Sequence, residues 1–213
     1  MILILDSYIK NIQNQISFIT YNYKRIIPSD VSSKIILMIG RGNDKNKRFE
    51  IGIRSVEYIA LVIRNFELKI ISEIYDFKYL INLIDNLNLI NNIKIEGFKE
   101  FSDIFFKNAS LHFFPSNSES FGLVLCETKI YGIPNILLGI DYISIARNGT
   151  IIIYDDSPES LAKEALYILL NNKYREYLGK EARRNMEKYN NEILIILFIY
   201  INKYLYKNLF LKN

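Results

Sequence analysis

The 213-residue chain has no tryptophan, one cysteine, one histidine and four prolines, and each shortage closes off a class of protein. A single cysteine, Cys126, allows neither an intrachain disulfide nor a cysteine-built metal cage, and its place among apolar neighbours in a predicted helix marks it as a buried packing residue. A single histidine, His112, lies inside a predicted strand and reads as a packed or hydrogen-bonded core residue rather than a catalytic one. No convincing cluster of histidines or carboxylates offers metal ligands. Long apolar runs are missing too: the longest near the C-terminus, Ile193–Ile201, is well short of the ~20 residues that span a bilayer. Met1-Ile-Leu-Ile-Leu is followed at once by Asp6 and Lys10, without the basic start or small-residue cleavage site of a signal peptide. The sequons Asn108-Ala-Ser and Asn148-Gly-Thr therefore read as chance matches, and the chain as cytoplasmic. Charge of one sign is also scarce. A net charge of +4 permits attraction to phosphates or an anionic membrane but falls short of a nucleic-acid-binding footprint.

What is present is an ordinary globular composition, 50% hydrophobic and 23% charged, with length enough for one α/β core but not for two full α/β domains. Short runs with β-branched residues, at Lys34–Ile39, Leu68–Ser72, Ile93–Glu96, Leu111–Phe114, Asn135–Leu138 and Thr150–Tyr154, alternate with helical patterns. These helices are expected at Lys47–Asn65, Phe77–Asn88, Phe101–Lys107, Ser120–Tyr131 and Pro158–Asn171. Such alternation predicts an α/β fold, a doubly wound parallel sheet with C-terminal helices. Residues 1–30 read as a linker or the remnant of a preceding domain, 31–172 as the α/β domain, and 173–213 as C-terminal helices. Asp155-Asp156 reads as a cap ahead of the helix at Pro158 rather than a metal pair. The basic "KEARRNMEK" reads as a solvated helix face, with contact to an anionic membrane as its second reading.

Ligands of doubly wound sheets sit at the carboxyl ends of the strands. That rule selects three loops, Gly40–Asn46, Gly97–Lys99 and Pro115–Glu119. In the first, "GRGNDKNKR" supplies Arg41, Lys45, Lys47 and Arg48, with Gly40 and Gly42 expected to free the backbone. It lacks the Gly-Lys-Ser/Thr ending of a P-loop and the third glycine of a dinucleotide fingerprint. In the third, a helix expected to open at Ser120 would offer the amides of Ser120, Phe121 and Gly122 as an anion cradle. Glu119 and Glu127 would then lie roughly 12 Å apart along the axis. That is too far to flank one glycosidic bond, for which carboxyls stand about 5–9.5 Å apart, and suits an extended, hydroxyl-rich ligand held at both ends.

Glu119-x7-Glu127, with Ser-Phe-Gly after the first Glu and Gly132-Ile-Pro134 after the second, resembles the donor-binding domain of the family-4 retaining glycosyltransferases, which have the two-domain GT-B fold. Arg41-x5-Lys47 is similar to that family's diphosphate-binding Arg and Lys. "FFPSNSESFG" and "GTIIIYDDSPESLAKEALYIL" resemble its approach to the helix and its closing strand and helix, so the likeness runs over about residues 34–190. The resemblance implies transfer of a hexose-type sugar from a nucleoside-diphosphate sugar to an unknown acceptor, without a metal or other cofactor. It implies catalytic roles for Glu119, at the transferred sugar, and for Arg41 and Lys47, on the diphosphate. Glu127 would hold the ribose, with Ser120, Phe121, Gly122 and Gly40 around the donor and Gly97 and Phe98 beside the base. It also implies a missing acceptor-binding domain or separate subunit, since residues 1–30 cannot supply one. The C-terminal helices would then turn an apolar face to that partner or to a membrane surface. The alternative is a non-catalytic nucleotide-sugar-binding or interaction module derived from such a domain.

Overall fold

The expected strands form at β1 (Ile35–Ile39), β2 (Glu67–Ser72), β3 (Ile93–Gly97), β4 (Ala109–Phe114), β5 (Asn135–Leu138) and β6 (Thr150–Ile153). Helices follow as α1 (Phe49–Ala60), α2 (Lys78–Asn86), α3 (Asp103–Lys107), α4 (Leu123–Ile130) and α5 (Pro158–Leu170), and a last helix, α6, occupies 172–187. The computed structural model describes residues 28–30, 32–42, 44–72, 77–97, 103–119, 122–139 and 144–187. The expectations for residues 1–27 and for the apolar segment Ile193–Ile201 lie outside that set. The described residues as far as Asn185 belong to one compact unit, Ile27–Asn185; of a second, Met1–Ile26 with Met186–Asn213, only residues 186 and 187 are described.

All strand pairs are parallel, in the order β3-β2-β1-β4-β5-β6. Parallel strands in such a sheet are covered on both faces, and β4 is buried at all six positions. Alternation along the strands sorts the side chains. Ile36, Met38, Leu68, Ile70, Leu111, Phe113, Ile136 and Leu138 join α1, α2 and α5 in the main hydrophobic cluster. Their neighbours Leu37, His112, Phe114 and Leu137 face the other layer.

Helix α1 buries Phe49, Gly52, Ile53, Val56 and Ile59, the three-and-four spacing of one helical stripe. A Cβ at Gly52 would lie 2.2 Å from the Met38 sulfur, so the glycine sets how closely α1 rests on β1. The start of α5 follows local rules: Ser157 accepts from the Ser160 N–H, Pro158 takes the first turn, and Asp155 accepts from Ser157 and Ser160. The cap itself is Ser157, with Asp155 bracing it, while Asp156 pairs with Arg48.

Helix α6 departs from a solvated face. Arg175 is buried and donates to the Ser33 carbonyl at 2.8 Å. In the basic segment, Ala182 and Asn185 are buried and Arg183 donates to the Ile130 carbonyl. The close approach is possible because Gly149, at φ +70°, and Gly179 lack side chains. A Cβ on Gly149 would stand 2.4 Å from the Ala182 nitrogen, and one on Gly179 2.4 Å from the Gly132 carbonyl oxygen. Among the described residues no helix is long and apolar enough to cross a membrane.

Candidate functional site

The chain order reverses between β1 and β4, which are adjacent at the centre of the sheet, so the loops leaving their carboxyl ends open a crevice where α/β sheets bind ligands. The loop after β1 is organised by Asp44. One carboxylate oxygen accepts from the Asn46 N–H at 3.0 Å and the other from Arg41 at 2.8 Å, and a 3-10 turn follows at Lys45–Lys47. Gly40 donates to the Ile71 carbonyl. A Cβ there would meet the Lys47 stem at 3.1–3.3 Å, so its absence lets Lys47 lie back across the strand end. Gly42 has a different use from the one expected. A Cβ on it would stand 2.0 Å from the Phe77 ring, so the space it leaves is filled by Phe77.

The loop after β4 meets this turn. Asn117 N–H donates to the Asn46 carbonyl at 2.7 Å, and Lys47 Nζ is ion-paired with Glu119 Oε1. The ammonium also stands 5.7 Å from the centre of the Phe114 ring. Arg41, Asp44, Asn46, Lys47, Ser118 and Glu119 together line a cavity of about 340 Å³. The three residues expected to be catalytic, Arg41, Lys47 and Glu119, are therefore brought to one place. Asp44, Asn46 and Ser118 join them; turn residues of this kind carry no ligand-binding signal of their own until the two loops meet.

Helix α4 begins at Leu123, not at Ser120, because Gly122 is at φ 82°, a left-handed conformation that breaks the helix before it. The helical estimate of 12 Å between Glu119 and Glu127 falls with it, since Glu119 stands outside the helix. Ser120, Phe121 and Phe98 lie outside the described residues. Gly97 ends β3 opposite Ser72. Glu127 is in the second turn of α4 and does not line the cavity. It is partly buried, and desolvation pushes its carboxyl up to about 7.

Beneath the loops lies a polar network. His112 is fully buried, and burial lowers its pKa to about 4. Its Nδ1 is 2.7 Å from Asn135 Oδ1, an acceptor only, so the neutral ring carries its proton on Nδ1. Thr128 donates to the same Oδ1 at 2.8 Å, and the Asn135 amide to the Ile133 carbonyl. His112 is thus the hydrogen-bonded core residue its strand position implied. Cys126 is buried, its thiol pushed up to about 12.

Lys129, which nothing in the residue pattern singles out, is fully buried. Its Nζ donates to the carbonyls of Ile145, Arg147 and Asn148 and to Asn185 Oδ1. Burial pulls its pKa down to about 7. The three N–H groups of the ammonium serve more of those four oxygens than the two of a neutral amine would, which works against that lowering.

The family model for glycosyl transferases group 1 matches residues 20–185. The chain belongs to the group 1 glycosyl transferases. Solved structures agree on the fold of this group 1 chain. TarM of S. aureus superposes with a TM-score of 0.73 at 21% identity, over 83% of this chain and 36% of its own. Alr3699/HepE of Anabaena, solved in complex with UDP-glucose, gives 0.67 at 16%, over 90% and 52%. The C-terminal domain of LpcC, a group 1 family protein from Francisella tularensis, gives 0.63 at 16%, over 76% of this chain and 87% of that domain. A search of curated proteins returned no significant match. The sheet is the Rossmann-like unit of the GT-B glycosyltransferases, and the chain spans roughly a third to a half of its full-length neighbours.

Proposed function

We propose that this group 1 chain is the donor-binding half of a retaining, family-4-type glycosyltransferase that takes a hexose from a nucleoside-diphosphate sugar. The observation that carries the reading is the meeting of Arg41, Lys47 and Glu119 in one cavity at the switch point of the sheet. A diphosphate needs cations that can turn to it. The Arg41 side chain is 70% exposed and, among the described residues, tied to Asp44, an exposed pair of the kind worth ~0–1 kcal/mol, so re-aiming its guanidinium onto a phosphate costs little. Lys47 is less free. Its side chain is 15% exposed and paired with Glu119, so its charge is shared between that carboxylate and the ligand.

In this arrangement Glu119 accepts hydroxyls of the transferred sugar while Lys47 and Arg41 stabilise the charge that builds on the leaving diphosphate. Glu127 reaches the ribose hydroxyls from α4, and the base lodges by Gly97 and Phe98. The two cations already supply the positive charge the diphosphate requires, so donor binding proceeds without a divalent metal. An acceptor-binding domain, in the same polypeptide or a separate one, completes the enzyme. The complexes of Anabaena HepE with UDP-glucose and of the pneumococcal O-GlcNAc transferase GtfA with UDP and GlcNAc support a sugar nucleotide as the ligand class.

A thermal-shift screen of sugar nucleotides in the presence of EDTA tests this. A ligand at 100 times its dissociation constant should stabilise the chain by ~2.7 kcal/mol. No shift with any sugar nucleotide would sink the donor reading, and a shift that vanishes in EDTA would sink its metal independence.

A further inference from the structure

Arg48 has an unexpected backbone. It sits at φ 46°, ψ 44°, a left-handed conformation that glycine adopts freely and an arginine does not. A side chain kept there against that preference needs a reason, and the guanidinium supplies one. Its Nε donates to the Pro115 carbonyl, Nη2 to the carbonyls of Ser116 and Leu138 at 3.4 and 3.2 Å, and Nη1 to Asp156 Oδ2 at 2.5 Å. The planar fork of five N–H donors can serve that many diverging acceptors at once. Those acceptors lie at the carboxyl ends of β4 and β5 and just beyond β6, while Arg48 itself follows β1. One residue thus gathers the ends of four of the six strands.

We propose that Arg48 is a positioning residue of the donor site, a clamp that holds the Glu119 loop against the Lys47 loop. Arg48 directly follows Lys47, and its acceptors Pro115 and Ser116 come just before Glu119. The Asn117-to-Asn46 backbone bond, 2.7 Å long, lies between the same two loops. The side chain is only 14% exposed and does not line the cavity, so it acts through Lys47 and Glu119 rather than on the ligand. That a ligand site depends on such support is general, since displacements of about 1 Å cost large factors in function. The inference rests on the donor-site reading, but the clamp itself can be tested without it.

Arg48→Gly removes the fork while relieving the left-handed strain, and Arg48→Lys keeps the charge but not the fork. In the full chain, amide hydrogen exchange would be followed at Asn117 in the loop and at His112 in β4, whose N–H bonds the Pro134 carbonyl. Calorimetry would measure UDP-glucose, GDP-mannose and ADP-glucose. In Arg48→Gly, Asn117 should exchange on the order of tenfold faster while His112 keeps its protection. The sugar nucleotide that binds the wild type should weaken on the order of tenfold. Arg48→Lys should recover only part of either loss. Exchange at Asn117 within twofold of wild type, or equal loss of protection at His112, would overturn the clamp, the second by showing that Arg48 merely holds the fold. An unchanged sugar-nucleotide affinity would overturn its role in the site. Should the wild type bind no sugar nucleotide in the thermal-shift screen, the donor reading fails, and exchange at Asn117 and His112 decides the clamp alone.

Discussion

If Glu127 holds the ribose as proposed, its carboxyl makes donor binding a titration. Desolvation raises its pKa to about 7, so the folded chain holds a proton there that an unfolded glutamate would release near 4.5. A rise of that size corresponds to ~3 kcal/mol. This contribution to stability is fully present below pH 4.5 and is lost as pH rises to 7. Ribose hydroxyls donate best to a carboxylate, so a ligand that uses Glu127 selects the ionised form and expels the proton. With a pKa of 7, roughly 9% of the sites are ionised at pH 6 and roughly 91% at pH 8, so affinity should rise about tenfold between them. A nucleoside-diphosphate sugar suits the assay because its diphosphate is a diester with no ionisation in that window. Calorimetry in buffers of different ionisation enthalpy should show close to one proton released per ligand at pH 6 and little at pH 8. Lys129, two residues away on α4, also has a pKa near 7, and Glu127→Gln separates the two. That variant should lose the slope, and its deficit against the wild type should be ~1.4 kcal/mol larger at pH 8 than at pH 6, the tenfold gain that only the wild type makes. A flat wild-type profile, or the same slope in Glu127→Gln, would refute the assignment of Glu127 to the ribose.

Two further expectations follow from the geometry. Lys129→Met strips the ammonium from three backbone carbonyls and the Asn185 amide oxygen and should cost ~3–5 kcal/mol in urea unfolding; a loss below ~1 kcal/mol would show that those oxygens find other partners. Glu119→Gln should weaken a sugar nucleotide but leave the free nucleoside diphosphate nearly unchanged, and equal losses for both ligands would contradict its placement at the sugar.

The parts of the fold that were legible are those decided by neighbours in the chain. Asn135–Leu138 was bounded correctly because a Gly-x-Pro precedes an apolar run, and the start of α5 because Ser157 and Pro158 form a local cap. The misread starts of α1 and α4 share a cause. Gly122 and Arg48 both adopt positive φ, and a single left-handed residue resets the helix that follows, so α4 and α1 start later than their apolar periodicity suggests. Buried charge was the other blind spot. Lys129 and Arg175 look like surface residues in the sequence, and only the folding of residues 145–148 and of Ser33 onto them supplies the carbonyls that make burial tolerable. The site was legible in its parts, as a basic loop and a glutamate loop at strand ends. The contact of Lys47 with Glu119, 72 positions apart, belongs to the topology of the sheet.

The bond between His112 and Asn135 joins two residues that are also Cα partners in the ladder between β4 and β5. Backbone hydrogen bonds alone would be satisfied equally well after a slide of two residues along the strand, and only side chains can forbid it. Here the prohibition is chemical: a slipped β5 would bring an aliphatic group opposite His112 and leave the ring's Nδ1–H buried without an acceptor. Because Thr128 bonds the same amide, the helix bearing Glu127 is indexed to that register as well. A slip of two residues would carry Asn135 some 6.6 Å along the strand, further than any hydroxyl could follow. The placement of α4 against β4 is therefore measured off by a buried imidazole that lines no part of the cavity.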